Sequence, residues 1–268
     1  MIIVSNRNKS FFPISSLKEC FGLIFKLFKN GNYPDAFDCI EQILIQSPKH
    51  DMAILSFAYD LYKSLNPKSR FNLYQSRFFD FNILPGSKVL DIGSGHMPFP
   101  FATHLADFAV EDNNYGRAGI PFKHIQGKPV YHCDVENMPF EDGEFDFVYC
   151  SHVLEHVNSP EKACQELARV GKRGYIETPT KGKDIFLSTV KISNHNWHVE
   201  CCDDKLIFTK YSEREKEGIG TNILMNMHTN PQTDREKAFS AVIYLKADLF
   251  NTMVMWERDI PFEIRGIF

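Results

Sequence analysis

The sequence predicts an α/β fold: a doubly wound, mainly parallel sheet, with a helical N-terminal cap ahead of it and a strand-rich C-terminal cover behind it. Three observations carry this expectation. Short apolar runs recur at Lys88–Ile92, Phe108–Glu111, Pro129–His132, Phe145–Cys150 and Gly174–Glu177, separated by helices or turns, as in strands buried on both faces. The first run ends in Asp91 and passes straight into Gly93-Ser94-Gly95. A second acidic pair, Glu111-Asp112, then follows, with Asp112 twenty-one residues after Asp91, the length of one turn, one helix and one strand.

Two domains are expected, 1–84 and 85–268. In the first, Leu17, Cys20, Phe21, Leu23, Ile24 and Leu27 repeat at helical spacing until Asn30-Gly31-Asn32. A second helix carries Ala36, Phe37, Ile40, Ile43 and Leu44 and stops at Ser47-Pro48; a third runs from Ala53 to Leu65. Gly31, Tyr33, Ala36 and Pro48 resemble part of one tetratricopeptide repeat, which cannot bury its own face alone. A helical cap is therefore favoured over a partner-binding module, with a protein partner at these helices kept as the alternative. Residues 68–84 read as one more helix, and Pro85-Gly86-Ser87 as the turn into the sheet. Ser159 and Pro160 open a helix whose buried stripe is Ala163, Cys164, Leu167 and Val170. Gly116, Gly119, Pro121 and Gly127 argue against a regular helix between the second and third strands. Val199–Lys210 reads as two strands around Asp203-Asp204, residues 213–238 as a polar segment, and Ala241–Lys246, Thr252–Trp256 and Phe262–Arg265 as further strands.

Composition narrows the function classes. A hydrophobic share of 43% and a charged share of 24% are those of a soluble domain, and a net charge of −4 offers no general surface for polyanions. Nucleic acid is not an expected partner. No apolar run reaches the length of a membrane span, and the N-terminus does not read as a secretory signal. Seven cysteines, an odd number, fit reduced thiols in the cytoplasm, with Cys133, Cys150 and Cys164 packed as small hydrophobes.

Ligands of such sheets sit outside the carboxyl ends of the strands. Those ends deliver Asp91, Gly93 and Gly95, then Glu111 and Asp112, then Asp134 and Val135, then Ser151 and His152. The glycines let a ligand approach the backbone, and the second acid stands where a carboxylate accepts ribose hydroxyls. A nicotinamide dinucleotide wants a third glycine three residues after Gly95, where Pro98 stands, and wants helix N–H groups that Pro98 and Pro100 lack. A cofactor without phosphates tolerates both losses.

Val89–Gly95 resembles the first motif of class I S-adenosylmethionine-dependent methyltransferases. The run Cys133–Val148 resembles the D-x-x-x-L-P-F-x-D-x-x-F-D-x-V pattern of the methyltransferase type 11 group, and Ser151-His152-Val153-Leu154-Glu155-His156-Val157 the segment that follows it. Residues 174–179 and His195-Asn196-Trp197-His198 are similar to a bacterial subset acting in surface-glycan or secondary-metabolite pathways. The family often has a third glycine where this chain has Met97, and Pro98-Phe99-Pro100 departs from its helix start.

The resemblance implies a Rossmann-like methyltransferase fold, S-adenosylmethionine as donor, and a small-molecule or glycan-precursor acceptor. It implies that Gly93 and Gly95 form the turn under the donor and that Asp91 orients that turn or meets the donor's amine. Asp112 holds the ribose, with Glu111 as the competing choice. Asp134 and Val135 meet adenine, and Ser151 and His152 the methionyl end. His152 is the first candidate for a base, ahead of His195 and His198. Two metal-ligand sets are set aside, so no metal is expected. His152, Glu155 and His156 lack the zinc-protease order, and His195, His198, Cys201 and Cys202 diverge along one strand. The alternatives are a nicotinamide-dependent reductase and a non-catalytic scaffold with a vestigial cofactor fold.

Overall fold

The computed structural model describes residues 1–5, 7–9, 16–112, 119–187, 194–216 and 222–266, with the backbone alone at Leu17 and Asn222. In chain order the elements are β1 (Ile2–Ile3), α1 (Leu17–Lys29), α2 (Tyr33–Gln46), α3 (Asp51–Ser64), α4 (Arg70–Leu73), β2 (Val89–Ile92), β3 (His104–Asp107), β4 (Val130–His132), β5 (Phe147–Ser151), α5 (Pro160–Val170), β6 (Arg173–Pro179), α6 (Lys181–Phe186), β7 (Trp197–Cys202), β8 (Lys205–Lys210), α7 (Glu213–Lys216), α8 (Asn222–Thr229), α9 (Asp234–Leu245), α10 (Ala247–Phe250), β9 (Asn251–Glu257) and β10 (Phe262–Arg265).

The chain divides into two compact units. The first, Met1–Ser5 with Asn82–Gly220 and Leu249–Phe268, holds a seven-stranded sheet in the order β1-β9-β6-β5-β2-β3-β4. Strands β2 to β6 are mutually parallel. β9 is antiparallel to β6, and β1 antiparallel to β9, so the chain's first residues supply an edge strand running with the parallel set. Strand order reverses at β2 and β5, whose carboxyl ends therefore open the crevice where α/β sheets bind ligands. A second sheet pairs β7 with β8 antiparallel and β8 with β10 parallel. Asp203 and Asp204 turn that hairpin with φ of 49° and 57°, the left-handed pair that a two-residue hairpin needs.

The apolar runs form the expected sheet, with one shift that matters. The second strand is His104–Asp107, not Phe108–Glu111. Burial decides it: Leu105 and Ala106 are fully buried, whereas Phe108 is half exposed. Pro98 and Pro100 leave no helix between β2 and β3, so the chain crosses to the next strand in a short loop. Phe99 plugs that loop, its ring stacked on Tyr149 of β5 at 4.3 Å between centroids. The described residues between β3 and β4 also lack a helix; Gly116 lies outside them. α5 forms as expected, capped by the Ser159 hydroxyl, which accepts from the Lys162 N–H.

The second unit, Asn6–Phe81 with Thr221–Asp248, is helical. The run Ala241–Lys246, expected as a strand, lies almost wholly in α9, which is started by a capping box between Thr233 and Glu236. Much of the polar segment 213–238 is helical as well, in α7, α8 and the start of α9, and residues 68–84 give only the one-turn α4 and a 3-10 turn. Arg77, 1% exposed, ties this unit together. Its guanidinium donates to Asp38 and Glu41 of α2 and, at 2.7 Å, to the Leu245 carbonyl that ends α9. A buried cation is tolerated only when its donors are matched in this way. All seven cysteines are free, and among the described residues no helix is long and apolar enough to cross a membrane.

Candidate functional site

At the switch point the backbone builds one wall. β2 ends in a turn with Gly93 at φ 74° and Gly95 at φ 51°, the left-handed region that favours glycine. The Gly93 and Ser94 N–H groups both donate to the Ala106 carbonyl, at 2.8 and 3.1 Å. The Gly95 N–H donates to Asp107 Oδ2 at 3.0 Å, and the Ala109 N–H to Asp107 Oδ1 at 2.9 Å. The turn after β2 is thus pinned to the last two residues of β3. Asp91, 1% exposed, accepts the Phe99 N–H at 2.7 Å and anchors the loop that follows. A methyl group at Gly93 would stand 2.2 Å from Val153 Cγ2, so the turn also abuts the chain leaving β5.

Of the residues predicted from sequence, Asp91, Gly93, Gly95 and Ser151 meet at this edge through β2 and β5, with Asp134 and Val135 just beyond β4. Asp134 Oδ1 accepts the Glu136 N–H at 2.9 Å, closing a turn of its own, and Val135 is buried. Glu111 and Asp112 are not brought to a strand end: both are exposed, four and five residues past the end of β3. The acid at that end is Asp107, which the sequence reading missed. Its signal was Pro98 with Pro100, because a crossover without a helix brings the next strand forward. Two hydroxyls at the edge, Ser94 Oγ and Ser151 Oγ, are buried without a hydrogen-bond partner. Buried polar groups are nearly always satisfied, and a polar ligand at this edge would supply partners for both. A strand-end acid, an open turn and two unsatisfied hydroxyls fit an adenosyl amino acid such as S-adenosylmethionine.

Side chains gather at the ends of β5 and β6. His152, at φ 58°, sets Nδ1 at 3.2 Å from Glu155 Oε1 and Nε2 at 3.1 Å from Glu177 Oε1. Tyr175 donates to the other Glu177 oxygen at 2.7 Å. Each ring nitrogen of His152, the first candidate for a base, thus faces a carboxylate of the protein. Burial alone would raise the Glu155 carboxyl, but the bond from His152 and the fields of His156, His152 and His195 hold it down to about 2.

His156 and His195 lie beside Glu155, their ring centroids 4.7 Å apart. The Asn196 and Trp197 N–H groups donate to the Glu155 carbonyl at 2.7 and 3.1 Å, which draws the chain before β7 against the loop after β5. His156 Nδ1 is 3.1 Å from the Asn194 carbonyl, and burial pushes its pKa down. His195 Nδ1 is 2.9 Å from Asp184 Oδ2, which also accepts from Tyr211 at 2.9 Å. Burial works to lower the His195 pKa, but the bond to Asp184 and the charge of Glu155 raise it overall. Trp197 is a core residue, its Nε1 donating to the Val157 carbonyl at 2.8 Å. His198 is buried on β7 and does not join the group formed by Glu155, His156 and His195.

The chain is similar to known methyltransferases. A methyltransferase-domain family model matches residues 90–176, the stretch from β2 to β6. The ubiquinone biosynthesis O-methyltransferase of Acinetobacter baumannii is 24% identical over 204 residues, covering 66% of this chain and 83% of that protein. A sterol 24-C-methyltransferase of Gibberella zeae is 34% identical over 110 residues, 35% of this chain and 27% of that one. Among solved structures, an S-adenosylmethionine-dependent methyltransferase of Mesorhizobium loti matches at a TM-score of 0.35 and 13% identity, covering 65% of this chain and 91% of that one. The chain spans about half the length of the first solved structures it matches. The strand order is that of a Rossmann-like methyltransferase fold, and the stretch the family model matches is the centre of its sheet.

Proposed function

We propose that this protein transfers the methyl group of S-adenosylmethionine to a small molecule, a glycan precursor among the acceptors it suits, with a core of the type 11 kind. The observation that carries this reading is the pair of buried, unsatisfied hydroxyls, Ser94 and Ser151, at the two strand tips of the switch point. The donor supplies a methyl already activated on a cationic sulfur, so the protein's task is alignment and exclusion of water. Gly93 to Gly95 underlie the donor's ribose and methionyl parts. Asp107 takes the ribose hydroxyls, the role expected of Asp112 and Glu111, because it is the acid at the end of β3 and backbone N–H groups already orient both its oxygens. Asp134 and Val135 meet adenine. Asp91 works through Phe99 as a positioning residue.

His152 is a positioning residue too, locking the loop after β5 to β6 through Glu177. The acceptor lies on the side of Glu155, His156 and His195. The matched relatives include both O-methyltransferases and a C-methyltransferase, so the atom methylated does not follow from them.

Calorimetric titration tests the reading. S-adenosylhomocysteine binds at one equivalent and NADH does not. Binding of NADH in its place would favour the reductase, and binding of neither would favour the scaffold.

A further inference from the structure

Glu155, His156 and His195 each offer one ligand-type atom, and these atoms all lie within 4.8 Å of one another. Ligands held 2.0–2.2 Å from a tetrahedral ion stand about 3.4 Å apart, so side-chain rotations of about 1 Å close the set. Two independent features go beyond proximity. First, Glu155 Oε2 is buried with no hydrogen-bond partner, while Oε1 is taken by His152. A buried carboxylate oxygen without a donor is costly unless a cation satisfies it. Second, both imidazoles are oriented as ligating histidines are. His156 points Nδ1 at the Asn194 carbonyl, and His195 points Nδ1 at the buried Asp184 carboxylate. A donated Nδ1–H leaves the Nε2 lone pair facing outward, and a carbonyl or carboxylate behind the ring is the usual outer partner of a metal-bound histidine. Tyr211 supports Asp184 in turn.

We propose that a carboxylate oxygen of Glu155, together with His156 Nε2 and His195 Nε2, binds one divalent first-row transition metal of the zinc class, beside the loop that follows β5. Two imidazoles and one carboxylate suit such ions better than magnesium or calcium, which prefer all-oxygen shells. Three protein ligands leave a coordination position for water or an oxygen of a bound molecule. The site uses the His195 nitrogen first considered as a base, and neither ligand set weighed from the sequence contains this combination. It does not depend on the methyl-transfer reading, because metal binding is read without donor or acceptor.

The test uses the full chain, stripped with chelator and titrated with Co2+ followed by visible absorption, then with Zn2+ by calorimetry. One equivalent is expected, with the d–d spectrum of a low-coordinate site. His195→Ala and His156→Ala abolish that equivalent, and Asp184→Asn weakens it by about 10- to 100-fold. His50→Ala, at an exposed histidine of the other unit, leaves it unchanged. X-ray absorption of the zinc-loaded wild type finds two imidazoles and at least one oxygen, a readout that survives if a variant fails to fold. Absence of a stoichiometric site in the wild type overturns the proposal. So does binding that His195→Ala and His156→Ala leave intact, or a coordination shell without two imidazoles.

Discussion

The two walls of the crevice are made of different material. The wall at β2 and β3 is backbone: left-handed glycines, N–H groups on the Ala106 carbonyl, and one carboxylate, Asp107, fixed by two more N–H groups. The wall after β5 is side chain: His152 between Glu155 and Glu177, then His156 and His195 with Asp184 behind them. A backbone wall holds the shape of its ligand and is indifferent to most substitutions that keep glycine. A side-chain wall stores charge, and each member depends on its neighbour's protonation and presence. Under the proposed function, the first holds the donor and the second faces the acceptor.

This contrast predicts graded responses. The largest belongs to His152→Ala, which removes the ring that both buried carboxylates, Glu155 and Glu177, share and costs about 3–5 kcal/mol of stability in urea unfolding. A cost under 1 kcal/mol would mean that this wall is not held by charge. Gly93→Ala comes next. It imposes a left-handed alanine and a contact with Val153, at a cost of about 3 kcal/mol, and weakens donor binding as well. If donor affinity stays at the wild-type level in the folded variant, the donor does not rest on that turn. Tyr175→Phe removes one hydrogen bond to the Glu177 carboxylate and costs about 2 kcal/mol, with donor affinity unaltered.

The smallest effect lies away from both walls. Glu166 is held below the usual carboxylate range, first by its bond to Arg169. A carboxyl depressed in the folded state adds stability above the unfolded-state pKa of about 4.3, and that contribution disappears as pH falls through the folded value. Glu166→Gln therefore lowers stability at neutral pH by about 0.5 kcal/mol, the scale of a partly exposed pair, and flattens the loss between pH 5 and 3. An unchanged slope in acid denaturation would place that loss on other carboxylates.

The same contrast explains what could be read from the chain. The turn Asp91-Ile92-Gly93-Ser94-Gly95 is local, and its residues sit where their spacing put them. Asp107 escaped because Thr103 and His104 make the start of β3 look polar. The stretch Phe108–Glu111 looks more like a strand in isolation, and only sheet burial separates the two. The ends of the chain were harder. Ile2 and Ile3 are too short a run to announce a strand and become one only by pairing with Trp256 and Met255. Ala241–Lys246 carries a pattern common to a strand and a buried helix, and the Thr233 and Glu236 cap settles it. The group of Glu155, His156 and His195 joins residues some forty positions apart through two backbone hydrogen bonds to the Glu155 carbonyl, a link with no signature in sequence.

The central claim is that the donor is held at the end of β3 by Asp107 and not by the acids beyond it. Calorimetry with S-adenosylhomocysteine on Asp107→Asn, Glu111→Gln and Asp112→Asn, measured side by side, tests this most directly. The account predicts a loss of about 1–3 kcal/mol, roughly ten- to a hundredfold, for Asp107→Asn alone. Wild-type affinity in Asp107→Asn together with a loss in Asp112→Asn or Glu111→Gln would contradict it.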